Sequence, residues 1–220
     1  MRPARRARSG PIGQHPGVAR VPPSASAHPP TGKHGYPLYH PPDVAAWRAW
    51  LEANHDRERG VWCICWRAPS GREALSQAQL VEEALCVGWI DSTARVFDED
   101  RRLQLVTPRK PKSSWTRLNR QRVAALEAAG RMTDAGRRAV EVAKANGYWT
   151  LFDSVEDLVV PDDLASALDA ARGAREVWDA WPRSVRKPAL WSLLTAARPE
   201  TRAARIERVV AAALAGRRPG

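Results

Sequence analysis

The spacing of apolar residues changes character along the chain, and each change marks an element. Val44, Trp47, Trp50 and Leu51 recur at helical spacing after Pro42 and Asp43, and Gly60 ends that run. A short strand is expected just before it, in YPLYH (36–40). VWCICWRA (61–68) alternates, with Trp62, Ile64 and Trp66 to one side and Cys63 and Cys65 to the other, as in a strand covered on both faces. Ser76 reads as the N-cap of a helix that reaches Cys86 and is closed by Gly88. Residues 89–107 read as a β-hairpin turning at Asp98–Asp100. Its alternation puts Trp89, Asp91, Thr93 and Arg95 on one face and Ile90, Ala94 and Val96 on the other. From Ser113 onward the period is helical: 114–129, 133–146, 162–171, 173–180, 184–196 and 200–214. Strands first and helices afterwards define an α+β class: a small antiparallel sheet with a hairpin packed against helices, then an all-helical C-terminal half.

Composition divides the chain further. Residues 1–35 hold seven of the eighteen prolines and no helical period, so a disordered basic tail is expected there. An α+β core domain over 36–150 and a helical domain over 151–220 follow. No apolar run approaches the roughly 18 residues of a spanning helix, so no membrane insertion is expected. Three cysteines, an odd number with none needed as a staple at this size, fit a reducing compartment. Together with the missing apolar stretch of a secretory signal, they make the cytoplasm the expected location.

Charge changes the picture more. The net +11 is local: residues 1–42 carry six cations and no acid. Residues 101–126 carry eight (Arg101, Arg102, Arg109, Lys110, Lys112, Arg117, Arg120, Arg122), again with no acid. The rest therefore sums to 11 − 6 − 8 = −3. Two basic islands on a mildly acidic body argue against a general nucleic-acid binder, for which a wider basic stripe is expected.

The stretches WRAWLEANHDRERGVWCICWRA, EEALCVGWIDS, TPRKPKSSWTRLNRQRV, GRMTDAGRRAVEVAKANGYW and ARPETRAARIERVV resemble the YdeI/OmpD-associated family, also called bacteriocin-protection proteins. The likeness runs from about residue 36 to 216. It implies tolerance of bacteriocins or cationic antimicrobial peptides, association with a porin, and a periplasmic location. It implies no reaction and no catalytic set; a porin or envelope partner comes with the family name alone.

The residues themselves point to one basic stretch. On a helix beginning near Ser114, a single face about 160° wide gathers Trp115, Leu118, Asn119, Arg122, Val123 and Leu126. Asn119 and Arg122 are thus expected to point inward, where a guanidinium needs an anion, a carboxylate or a route to water. Ser113 or Ser114 reads as the N-cap, and the first-turn N–H groups of a helix attract anions. Arg109, Lys110 and Lys112 arrive at the same end on a loop stiffened by Pro108 and Pro111. Asp91 is the expected partner of Arg109 or Arg122, and Trp89 and Trp115 flank the site. Cys63 and Cys65 read as a packed, reduced pair, and Arg198, Arg202, Arg205 and Arg208 as a second, solvated basic ridge. The five histidines offer no metal spacing, so neither metal nor cofactor is expected.

The reading these residues favour is a small binding protein holding an anionic ligand at Asp91, Arg109, Lys110, Ser113, Trp115, Asn119, Arg122 and Trp89. Two alternatives stand beside it: an enzyme acting on a phosphorylated or carboxylated metabolite with Asp91 as base, and a nucleic-acid binder using the tail and the basic stretch.

Overall fold

The computed structural model describes residues 35–72 and 75–219. The expected tail therefore lies, Gly35 apart, outside the described residues.

Asp43 opens α1 (Val44–Asn54) by accepting the Ala46 N–H at 2.7 Å. The preceding strand, β1 (Leu38–Tyr39), and the following one, β2 (Val61–Trp66), are joined by that helix and lie parallel. A crossover through a helix returns a strand in the same direction, and this makes the sheet mixed where a purely antiparallel one was expected. Ser76 and Gln79 form a reciprocal capping box at the start of α2 (Gln77–Cys86). The hairpin of β3 (Trp89–Val96) and β4 (Arg101–Pro108) then completes the sheet, in the order β1-β2-β4-β3. β4 lies antiparallel to both β2 and β3.

The strict alternation of β2 splits the sheet into two faces. Val61, Cys63 and Cys65 join Val106 of β4 in a core with Trp47, Leu51, Leu80, Leu85, Trp89 and Trp115. Trp62 and Ile64 turn the other way and pack with Leu38 and Leu103. Each large side chain fully buried this way contributes about 1.5–3 kcal/mol.

The helices α3 (Arg117–Ala128) and α4 (Asp134–Ala145) add Val123, Leu126, Val140 and Ala143 to the first core. Residues from Val155 to Ala213 form a separate core. It is built from α5 (Asp153–Glu156), α6 (Asp162–Ala170), α7 (Ala174–Ala180), α8 (Arg183–Leu194) and α9 (Pro199–Leu214), with Leu164, Leu168, Trp178 and Leu193 at its centre. The short α5, unannounced by any apolar period, is an element that the sequence reading missed, as is a 3-10 turn at Ala68–Ser70. Within this half Arg202 and Arg205 are not simply solvated. Arg202 pairs with Asp163 and donates to the Leu193 carbonyl at 2.9 Å, while Arg205 donates to the Ser192 carbonyl, so both close the C-terminal turn of α8.

One contact fixes how α4 approaches α2. Thr133, the N-cap of α4, donates its hydroxyl and its backbone N–H to the Cys86 carbonyl, at 2.8 and 3.0 Å. A Cβ at Gly136, one turn later, would stand 2.3 Å from that same carbonyl oxygen. Gly136→Ala should therefore push α4 off α2 and lower stability by about 1–3 kcal/mol, the usual cost of overpacking. Urea melts of the two proteins measure it; a change under a few tenths of a kcal/mol would show that the helices shift freely.

Candidate functional site

The basic stretch resolves into two groups of cations with different fates. The first is spent inside the molecule. α3 begins at Arg117, with Thr116 as its N-cap accepting the Asn119 N–H at 3.2 Å. Ser113 and Ser114 thus lie ahead of the helix, and the Ser113 N–H closes a turn onto the Lys110 carbonyl at 2.9 Å. Any of the three hydroxyl residues can cap. The register falls on Thr116, and Trp115 just ahead of the helix is 1% exposed, buried in the core.

That helix terminus does attract an anion, as its dipole dictates, but the anion belongs to the chain itself. Glu156, at the end of α5, accepts the Arg117 backbone N–H at 2.9 Å. Arg117 also grips both Asp157 oxygens, at 2.9 and 3.0 Å, and Arg120 pairs with Asp153. Further back, Arg101 pairs with Asp98 in the hairpin turn. The acidic run DSVED (153–157) is therefore the counterpart of the acid-free stretch.

The rotation of α3 follows from the same contact. Arg120, expected on the outer face, is half-buried against Asp153, and Leu118, expected inside, is 54% exposed. Val123 and Leu126 remain inward, and Asn119 and Arg122 sit half-buried at the margin.

The second group stays without carboxylate partners. Arg109 leaves β4 with its backbone N–H on the Gly88 carbonyl at 3.0 Å, and its guanidinium lies 3.6 Å from the Trp115 ring centroid. Its Nη1 donates to the Ser114 carbonyl at 3.2 Å, and its Nε, shut off from solvent, has no acceptor. Burial lowers Arg109 to about 10, against the pull of Asp91. It remains a cation at neutral pH.

Arg122 donates to Asn119 Oδ1 at 3.0 Å. Arg102 donates to Gln104 Oε1 and Gln77 Oε1, each at 3.0 Å. Gln77 in turn donates to Asp91 Oδ2 at 2.7 Å. Among the described residues, none of Arg102, Arg109 and Arg122 has a carboxylate within 4.0 Å. The expected direct pair between Asp91 and Arg109 or Arg122 is absent.

Asp91 nevertheless feels all three. Burial pushes its carboxyl up; its own backbone N–H and the charges of Arg109, Arg122 and Arg102 pull it down, and burial wins. It shares the helix-side face with Val106, its partner across the hairpin. A bulge between Asp91 and Ala94 then breaks the alternation. Arg95, expected beside Asp91, goes to the other face and lies 5.1 Å from the Trp62 ring centroid.

Of the other expected site residues, Trp89 is 2% exposed and donates its indole N–H to the His55 carbonyl, so it is core. Lys110 and Lys112 are exposed on the turn whose Pro111 carbonyl accepts from Asn146 at 2.7 Å. Trp115 stacks on Arg109 from within, leaving no open face for a planar ligand. The structure thus gathers Asp91, Arg109, Asn119 and Arg122, leaves Lys110, Lys112 and Ser113 on the turn after β4, and buries Trp89 and Trp115 in the core. Gln77 and Arg102 join the first four, and sequence reasoning missed both. Gln77 carries no signal beyond its place in a capped first turn, whereas the register of Arg102 opposite Cys65 could be found only by pairing the strands.

Cys63 and Cys65 lie buried with their sulfurs 3.7 Å apart, and burial pushes the Cys63 thiol up. Among the described residues no three His, Cys, Asp or Glu side chains gather as metal ligands, and no helix is long and apolar enough to cross a membrane.

Residues 39–139, which carry the cluster, match a domain of unknown function, DUF8412. Residues 157–216 match the family described as Bacteriocin-protection, YdeI or OmpD-Associated. No curated protein and no solved structure matches the chain. The likeness read along 36–216 is thus carried by the C-terminal helices, and the arginine cluster lies in the other matched segment.

Two measurements check this geometry. Glu156→Ala leaves the first N–H of α3 without its acceptor and should cost about 1 kcal/mol, while Glu156→Gln, which still accepts, should cost less than half of that. Equal losses would mean that charge alone holds the contact. For Asp91, the raised carboxyl means that its ionised form weakens the fold. Its contribution is most favourable below the ordinary carboxylate range and is lost as pH rises through the folded value. Asp91→Asn should therefore stabilise at pH 7, and the gain should vanish near pH 3. A loss at pH 7 would show that the three arginines outweigh burial.

Proposed function

We propose that this protein binds a small anion between Arg109 and Arg122, with Arg102 contributing charge, Gln77 holding Arg102 in place and Asp91 balancing part of the cluster's charge. The observation that supports this reading is the pair of guanidinium groups left without carboxylates while their neighbours Arg101, Arg117 and Arg120 all have them. A guanidinium taken out of water is costly unless something negative meets it. The Nε of Arg109 is buried without an acceptor, which adds to the cost of holding this cation with nothing negative beside it. Lys110 and Lys112, exposed on the turn after β4, draw anions toward the site.

Its place in the cell is a stress-tolerance role in the cytoplasm; bacteriocin protection and a porin partner belong to the name of the family matched by residues 157–216. An enzyme using Asp91 as a base is supported by the raised carboxyl. One Asp91 oxygen is already taken by Gln77, and the other would have to do the work. Nucleic-acid binding has less support, because Arg101, Arg117 and Arg120 are neutralised within the chain by Asp98, Asp157 and Asp153.

Arg109→Met is the informative substitution. It keeps the packing volume over Trp115 and removes the charge. Anion binding, read as ligand-dependent thermal stabilisation, should be lost. The free protein should be as stable as the parent or more so, by up to about 1 kcal/mol, since an unpaired buried cation is a cost that an apolar isostere avoids. Retained anion response would place the ligand elsewhere; a loss of several kcal/mol would make Arg109 a purely structural residue.

A further inference from the structure

We infer that the site defined by Arg102, Arg109 and Arg122 takes a tetrahedral dianionic oxyanion, a phosphate or sulfate group, and discriminates against carboxylates. This rests on the anion-binding reading above and adds the ligand class to it.

The charge count comes first. Among the described residues, Arg102, Arg109 and Arg122 all bear on one carboxylate, Asp91. The cluster therefore carries 3 − 1 = +2 when empty. A carboxylate ligand would cancel half of that. A dianion cancels all of it, in a setting where burial already bears on both Arg109 and Asp91.

The donor count agrees. Each guanidinium has five N–H donors. Arg109 uses one on the Ser114 carbonyl and Arg122 one on Asn119, and both accepting groups are neutral. Arg102 uses two, on Gln104 and Gln77. What remains on Arg109 and Arg122 is more than a carboxylate's two oxygens can absorb, and it suits a group with three or four.

The surroundings hold the donors in place. Arg109 is clamped between the Gly88 carbonyl at its backbone and the Trp115 ring under its guanidinium. Asn146 pins the following turn through Pro111, and Asn119 steers Arg122 from one helical turn away. Asp91 then plays a second part. It competes with the ligand for the same arginines, and it repels anions when nothing is bound.

The test is a calorimetric titration of the full chain with sodium sulfate, inorganic phosphate, glycerol phosphate and acetate, all at one ionic strength. Sulfate and phosphate should saturate a single site, and acetate should bind at least about tenfold more weakly. Arg122→Lys should weaken sulfate by about tenfold or more, because an ammonium cannot present two parallel donors. Asp91→Asn should tighten it. Tighter binding of glycerol phosphate than of phosphate would identify an ester as the source; the reverse order would identify the free ion. Acetate binding as tightly as sulfate, or sulfate weakened by Asp91→Asn, overturns the dianion assignment while leaving an anion site standing. Saturation by none of the four up to about 20 mM overturns the assignment and the anion-binding reading together, since even at that concentration the affinity would lie below a few kcal/mol.

Discussion

A guanidinium stacked on a buried tryptophan, with no carboxylate in reach, is the constraint around which this half of the molecule is arranged. Arg109 lies 3.6 Å from the Trp115 ring, and Trp115 is almost wholly inside the core shared by the sheet and the helices α1 to α4. Trp115 is held in that core ahead of the helix, and α3 starts after it, at Arg117. Because α3 starts there, its first free N–H points to Glu156. The start of α3, just after this buried ring, thus decides both where the anion-seeking helix end lies and which anion it receives.

The consequence is a division of labour among cations adjacent in sequence. Arg101, Arg117 and Arg120 tie down the hairpin turn and the α3–α5 contact, with Asp98, Asp157 and Asp153 as their partners. Partly exposed pairs of this kind each contribute modestly, but together with the Glu156 carboxylate at a helix end they set the rotation of α3. Arg102, Arg109 and Arg122 are left facing a single half-buried aspartate. A basic stretch read as one feature is in fact scaffold on one flank and a charged, incompletely satisfied cluster on the other.

Sheet topology contributes in the same way. The bulge between Asp91 and Ala94 exchanges faces halfway along an edge strand, so Asp91 stays with Gln77 and Arg102 while Arg95 leaves to cover Trp62. Without that irregularity Arg95 would stand on the same face as Asp91 and could neutralise it. The excess of positive charge at the cluster therefore depends on one misaligned residue pair in the hairpin.

What the sequence determined by itself is what short-range physics controls. The alternation of VWCICW placed Cys63 and Cys65 against Trp62 and Ile64 on opposite faces, because side-chain direction in a strand is a matter of two-residue geometry. The caps Asp43, Ser76 and Thr133, the hairpin, and most helix spans were legible for the same reason: each depends on a few neighbouring residues. The polar positions Asn119, Arg122 and Asp91 were legible as oddities, since a polar residue on an apolar face stands out locally. Tertiary structure alone decided the rest. The parallel pairing of β1, the N-cap at Thr116, the rotation of α3 toward α5, and most of the sorting of eight cations into paired and unpaired depend on groups far apart in sequence, such as Leu38 and Trp62 or Arg117 and Asp157. Charge interactions of that range leave no periodicity in a sequence. They are fixed only when packing has brought the DSVED turn and the basic helix end together.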